Sequence, residues 1–211
     1  MARSLPAFAF GLLSAAAFAV GVWSLRYVLP GMPAAASLDN LSSDRTAFLV
    51  HAVSASVALL LGPLQFIGAL RRRPGLHRAV GWGTVTAVMV AWGSSIPMAM
   101  HAQAGTIASA GFLVLGLAWG ATTTLGVLRA RQRRFSGHRR WMVRSFALTA
   151  AAVSLRLELG FISVVGIPFE QGYPVIAWAC WIPNLVVAEW LLRRGDPPAI
   201  RTPGGVPAVQ G

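Results

Sequence analysis

Read for apolar and polar positions, the chain is a series of long hydrophobic runs broken by short polar linkers. Six runs, at 5–29, 47–70, 79–101, 106–128, 141–165 and 173–192, each reach or exceed the roughly 20 residues that an α-helix needs to span a hydrocarbon core. The pattern predicts an all-α polytopic membrane protein, a six-helix bundle forming a single membrane domain over residues 1–192. The first run follows Arg3 and contains AAAFA, as a signal peptide does, but it is longer than the apolar region of such a peptide and reads as an uncleaved helix. Gly62 and Pro63 should kink the second helix, and Pro97 offers a kink in the third. The last stretch, 193–211, is rich in Pro and Gly and reads as a disordered cytoplasmic tail.

Composition agrees with the pattern: 55% hydrophobic, 11% charged and a mean hydropathy of +0.62 over 211 residues. A net charge of +12 would suggest nucleic acid in a soluble chain. Here the cations sit at helix ends, so no nucleic-acid partner is expected and they report orientation instead. Arg71, Arg72, Arg73 and Arg78 follow the second run, Arg129 to Arg140 supply six more after the fourth, and Arg193, Arg194 and Arg201 follow the sixth. The alternate linkers hold Arg45 beside Asp39 and Asp44, with Glu170 in the last. By the positive-inside rule both termini and the arginine loops are cytoplasmic, with 30–46, 102–105 and 166–172 on the far side. All eighteen cations are Arg, which suggests a GC-rich bacterial source and places the protein in a bacterial cytoplasmic membrane.

The chemistry-bearing residues are few. His77 in RRRPGLHRAVGW and His138 in RRFSGHRRWMV stand in matched arginine contexts: laying His77 on His138 also lays Arg72, Arg73 and Arg78 on Arg133, Arg134 and Arg139. On the predicted topology these two lie near the inner face, while His51 and His101 lie near the outer one. Two histidines on each side match the needs of a b-type haem, with imidazole ligands from facing helices and arginines such as Arg78, Arg139 and Arg156 for its propionates. His77 and His101 are separated by about 36 Å of helix, which lets the third helix serve both faces, but they point about 120° apart around it. The bland alternative is that interfacial histidines keep their polar tips in the headgroups and that the arginines contact anionic lipids. Metal motifs fit less well, because no Cys, Asp or Glu is spaced with these histidines, and the lone Cys180 permits neither a disulfide nor a CxxCH attachment site.

Charges inside the runs should face the bundle interior. Arg144 and Glu189 lie at similar depth and should pair; Arg156 and Glu158 lie farther along the fifth helix, where Arg156 would meet an acid or a propionate. The polar row His51, Ser54 and Gln65 should face neighbouring helices, while Trp82, Trp141, Tyr173 and Trp190 fit the aromatic belts. Absence of a partnered nucleophile disfavours a hydrolase, and absence of GxGxxG and GxxxxGK[ST] signatures removes the usual nucleotide sites.

Four segments in order, ALLLGPLQF, RPGLHRAVGW, GHRRWMVRSFALTAAAVSLR and WIPNLVVAEW, resemble a bacterial membrane-protein family catalogued as domain of unknown function 2306, over roughly residues 47–192. That resemblance implies the fold and no activity. More loosely, paired histidines on both faces resemble the transmembrane diheme cytochromes b, although His51 and His101 come from adjacent helices, unlike that plan. Transmembrane electron transfer through haem is therefore one expectation. The competing ones are a small transporter or proton conductor using Arg144, Glu189, Arg156 and Glu158, and a non-catalytic membrane subunit.

Overall fold

The computed structural model describes residues 7–28 and 45–195. The loop with Asp39 and Asp44, most of the proposed tail and Arg201 lie outside them. The described residues are helical and contain no strand. In chain order they form α1 (Ala7–Ser24) with a 3-10 turn (Leu25–Val28), α2 (Arg45–Leu61) with a 3-10 turn (Pro63–Phe66), α3 (Gly68–Arg71), α4 (Pro74–Met100), α5 (Thr106–Arg131), α6 (Phe135–Thr149), α7 (Ala151–Val165), α8 (Phe169–Ala179) and α9 (Ile182–Gly195). Joined end to end, these give six helices long and apolar enough to cross a membrane, the fifth made of α6 and α7 and the sixth of α8 and α9. The bundle has two ends, an arginine end and an opposite end.

Sequence punctuation explains the breaks. Gly62 still donates to Ala58 O (2.8 Å), but Pro63 has no N–H to continue the ladder, and α2 gives way to the 3-10 turn. Pro97, by contrast, falls in the last turn of α4, which runs unbroken through it to Met100. His101 then caps the helix from outside.

Large apolar side chains face outward, as lipid requires: Phe8, Leu157 and Val164 are 78%, 69% and 89% exposed. The interior is built from small residues, with Ala58, Ala87, Ala91 and Ala151 packed around Val88, Trp119, Leu148, Cys180 and Trp181. Lipid tails are as apolar as the side chains they would replace, so close backbone approach supplies the packing instead. A Cβ on Gly111 would stand 2.8 Å from Ala177 O, and one on Gly120 would stand 2.7 Å from the Trp92 ring. A hydroxyl network ties α5 to α6 through this core. Trp119 Nε1 donates to Thr149 Oγ1 (2.9 Å), and Thr123 and Ser145 share a hydroxyl bond (2.6 Å). The first span joins the bundle through Ala17, packed with Leu59 and Val153.

Candidate functional site

The helix starts at the arginine end differ from the sequence expectation in an informative way. Hydropathy begins the third and fifth spans at Ala79 and Trp141, but the helices begin at Pro74 and Phe135. Apolar runs mark where lipid begins, whereas a helix begins where the backbone turns. Arg73 (φ −112°, ψ 85°) and Arg134 (φ −88°, ψ 73°) hold similar non-helical conformations, and each accepts the first helical bond, from His77 N and His138 N respectively, at 2.9 Å. Pro74 and Phe135 fall in the same register that aligns the two histidines. His77 and His138 thus occupy the fourth position of two equivalent helices, inside the first turn.

The structure brings these two histidines within electrostatic reach of one another. His138 Nδ1 lies 2.9 Å from Gly126 O on α5, an arrangement that puts the proton on Nδ1 and leaves Nε2 free to accept or to ligate. His77 Nδ1 is buried without a hydrogen-bond partner. Gln65 lies over Gly81, one turn beyond His77, and its Nε2 is likewise buried and unbonded. Two unsatisfied polar groups on one face of α4 are uncommon in a finished core. Arg78 and Arg139 follow the histidines and are exposed. Cations crowd two helix N-termini here, where the helix dipole is already positive, so this end attracts anions. Arg131 lies 5.8 Å over the Trp82 ring, at the same end.

Deeper in, Arg144 reaches Glu189 as expected, through a bidentate pair: Nε to Oε1, and Nη2 to Oε2 at 2.9 Å. The Trp141 ring lies 4.7 Å beneath the guanidinium. The pair is half-buried, with 15% and 33% of the two side chains exposed.

At the opposite end the outer histidine pair is not brought onto one centre. His51 Nδ1 bonds Ala91 O (2.9 Å) across the α2–α4 seam. His101 is exposed and turns back on its own helix, with Nδ1 3.0 Å from Pro97 O. Their acceptors are six residues apart on α4, about 9 Å of rise. Ser54 and Gln65 face neighbours with His51, as their spacing suggests. Arg156 does not meet Glu158, whose Oε2 is buried without a partner. Instead it donates to Ser24 Oγ and to Ala152 O, both at 3.2 Å. Tyr27, Arg26 and Tyr173 lie within electrostatic reach of it.

Sequence reasoning passed over Arg26 and its neighbours. Arg26 is hidden in an apolar run, and only the flanking aromatics of WSLRY marked it. It stacks over Trp23 (4.1 Å) and Tyr27 (5.1 Å). Tyr173, read as a belt residue, packs inward against Phe112 and Phe169. Ser154 and Asn184, which bond across α7 and α9 at 3.0 Å, were also unmarked. Among the described residues no group of three or more His, Cys, Asp or Glu side chains forms a metal cluster.

No curated protein and no protein of solved structure matches the chain. The family model described as "Predicted membrane protein (DUF2306)" matches residues 48–192, most of the described helices, and the chain belongs to that family.

Proposed function

We propose that this multi-pass membrane protein binds one b-type haem at the arginine end, between His77 and His138, and passes electrons at that face of a bacterial cytoplasmic membrane. One observation carries the reading: two histidines in matched sequence contexts occupy the same position on two equivalent helix starts and lie within electrostatic reach of each other. The local chemistry fits. An imidazole that holds its Nδ1 on a backbone carbonyl, as His138 does on Gly126 O, presents Nε2 in the state that binds iron. The buried, unbonded Nδ1 of His77 lacks the same support and has room in its hydrogen-bonding for a partner. Arg78 and Arg139 adjoin the ligands, and the electropositive helix starts suit the two propionates. Haem, when bound, supplies the one-electron chemistry. The chain's part is to hold the iron, neutralise the propionates and set the potential through their surroundings. The reading is narrower than two haems stacked across the bilayer, because His51 and His101 are anchored to carbonyls six residues apart on α4, about 9 Å of rise, and do not share the matched helix-start placement of His77 and His138.

A conduction path along the buried charges has less support. Arg144 and Glu189 satisfy one another, and the Ala-lined core separates them from Arg156.

The test is the absorbance spectrum of detergent-purified protein made under haem-replete conditions. A low-spin bis-imidazole spectrum is expected. Substituting Arg78 or Arg139 by Gln should shift the reduction potential while the iron stays bound. A colourless preparation that fails to take up added haem would overturn the reading. Orientation is tested separately: Cys at Ser42 should react with an impermeant thiol reagent in intact cells and Cys at Ser136 should not. Reversed labelling would put the arginine end outside.

A further inference from the structure

An unpaired guanidinium is expensive inside a bilayer, so a membrane protein that keeps two of them within electrostatic reach of each other calls for an anion there. At the opposite end Arg156 has, among the described residues, only neutral hydrogen-bond partners, Ser24 Oγ and Ala152 O. Arg26 stands near it, its Nη2 3.3 Å from Tyr27 Oη and its Nε buried and unbonded. Among the described residues neither guanidinium has a carboxylate partner. Glu158 is two residues beyond Arg156, about 200° around the helix, and so faces away. The nearby Tyr27, Tyr173 and Ser24 are neutral hydroxyls, and His51 on α2 adds a third basic group within electrostatic reach.

We propose that Arg26 and Arg156 form a clamp for the phosphate of a membrane lipid drawn from the leaflet at the opposite end. The placement suits that ligand. Arg26 lies in the 3-10 turn that closes the first span, the depth at which headgroups begin. Phe18 and Val22 lie eight and four residues before it, on the same helical stripe, and are 62% and 49% exposed. That stripe offers an apolar track for an acyl chain leading to the cationic head. Stacking on Trp23 and Tyr27 fixes the Arg26 plane, so its fork can take two phosphate oxygens with little loss of side-chain freedom. Arg156 completes the charge balance from inside the bundle, where Ser24 holds it in place.

The full-length protein in detergent tests this by thermal stability and native mass spectrometry, with dioleoyl-phosphatidylglycerol, headgroup-free dioleoylglycerol and inorganic phosphate as probes. Phosphatidylglycerol should raise the wild-type melting temperature and appear as a retained adduct, and dioleoylglycerol should do neither. Arg26→Gln and Arg156→Gln should each weaken that binding about tenfold or more, whereas Arg133→Gln, at the arginine end, should leave it unchanged. Arg26 lies at the rim, so its variant keeps the experiment informative if Arg156→Gln folds poorly. Equal responses in wild type and both variants would overturn the clamp. Inorganic phosphate reproducing the whole effect would overturn the lipid and leave a soluble phosphate as occupant. A response absent from wild type that appears only in an Asp39→Asn, Asp44→Asn double variant would overturn an external ligand, because the counter-charge would then come from the chain itself.

Discussion

Arg144 and Arg156 enter the same membrane span twelve residues apart and meet opposite surroundings. Arg144 closes a two-pronged bond with Glu189 over a tryptophan face. Arg156 settles for a serine hydroxyl and a backbone carbonyl, within electrostatic reach of a second arginine. The first is a self-contained pair that fastens α6 to α9. The second is an incomplete site whose balance must come from elsewhere. Identical side chains in one span therefore do different work, and what separates them is whether the neighbouring helix carries an acid at the matching depth.

The largest expected effect is at the closed pair. Glu189→Gln leaves the Arg144 charge without its partner and should cost about 1.5–3 kcal/mol, the range for hydrogen bonds to charged groups, seen as a lower Tm in detergent. Replacing both residues by Met should recover much of that loss, because the uncompensated charge goes with it. Additive losses in the two single variants and the double would show that no pair exists.

Packing offers a second contrast between the ends. At Gly111 an added Cβ meets the Ala177 carbonyl, a backbone atom that cannot step aside. At Gly126 it meets Met142 Sδ, the mobile part of a flexible side chain. Gly111→Ala should cost about 1–3 kcal/mol through forced separation of α5 and α8, and Gly126→Ala less. Equal costs measured by thermal unfolding would mean that the two ends are equally rigid.

The smallest effect sharpens the comparison most. In lipid-free detergent Arg156→Met should be as stable as wild type or slightly more so, since it removes an interior charge that has no charged partner among the described residues. Arg144→Met should be clearly destabilising under the same conditions. A large loss from Arg156→Met would mean that its bonds to Ser24 and Ala152 carry stability by themselves.

How much of this was legible follows from what each signal encodes. Hydropathy marks lipid contact, so the six spans and the Arg144–Glu189 pair could be read directly, depth being enough to bring two opposite charges together. It says nothing of where backbone bonds begin, and the starts at Pro74 and Phe135 came out ahead of the apolar runs that open at Ala79 and Trp141. The matched register of the two arginine segments did carry that information, because it aligns Arg73 with Arg134 as well as the histidines. Rotation about a helix was the weakest reading. Depth alone grouped His51 with His101 and Arg156 with Glu158, yet the first pair bonds separate carbonyls of α4 and the second faces different ways. Arg26 escaped notice because a single cation in a long apolar run barely changes a hydropathy average.

The central claim is that the arginine end, and not the opposite end, holds the redox group. The most direct measurement is the haem content per chain of purified wild type, His77→Ala, His138→Ala and His51→Ala, by the pyridine haemochrome spectrum. The account predicts one haem per chain in wild type and in His51→Ala, and its loss in both His77→Ala and His138→Ala. Wild-type protein without haem, or haem that survives both of those substitutions, would contradict it.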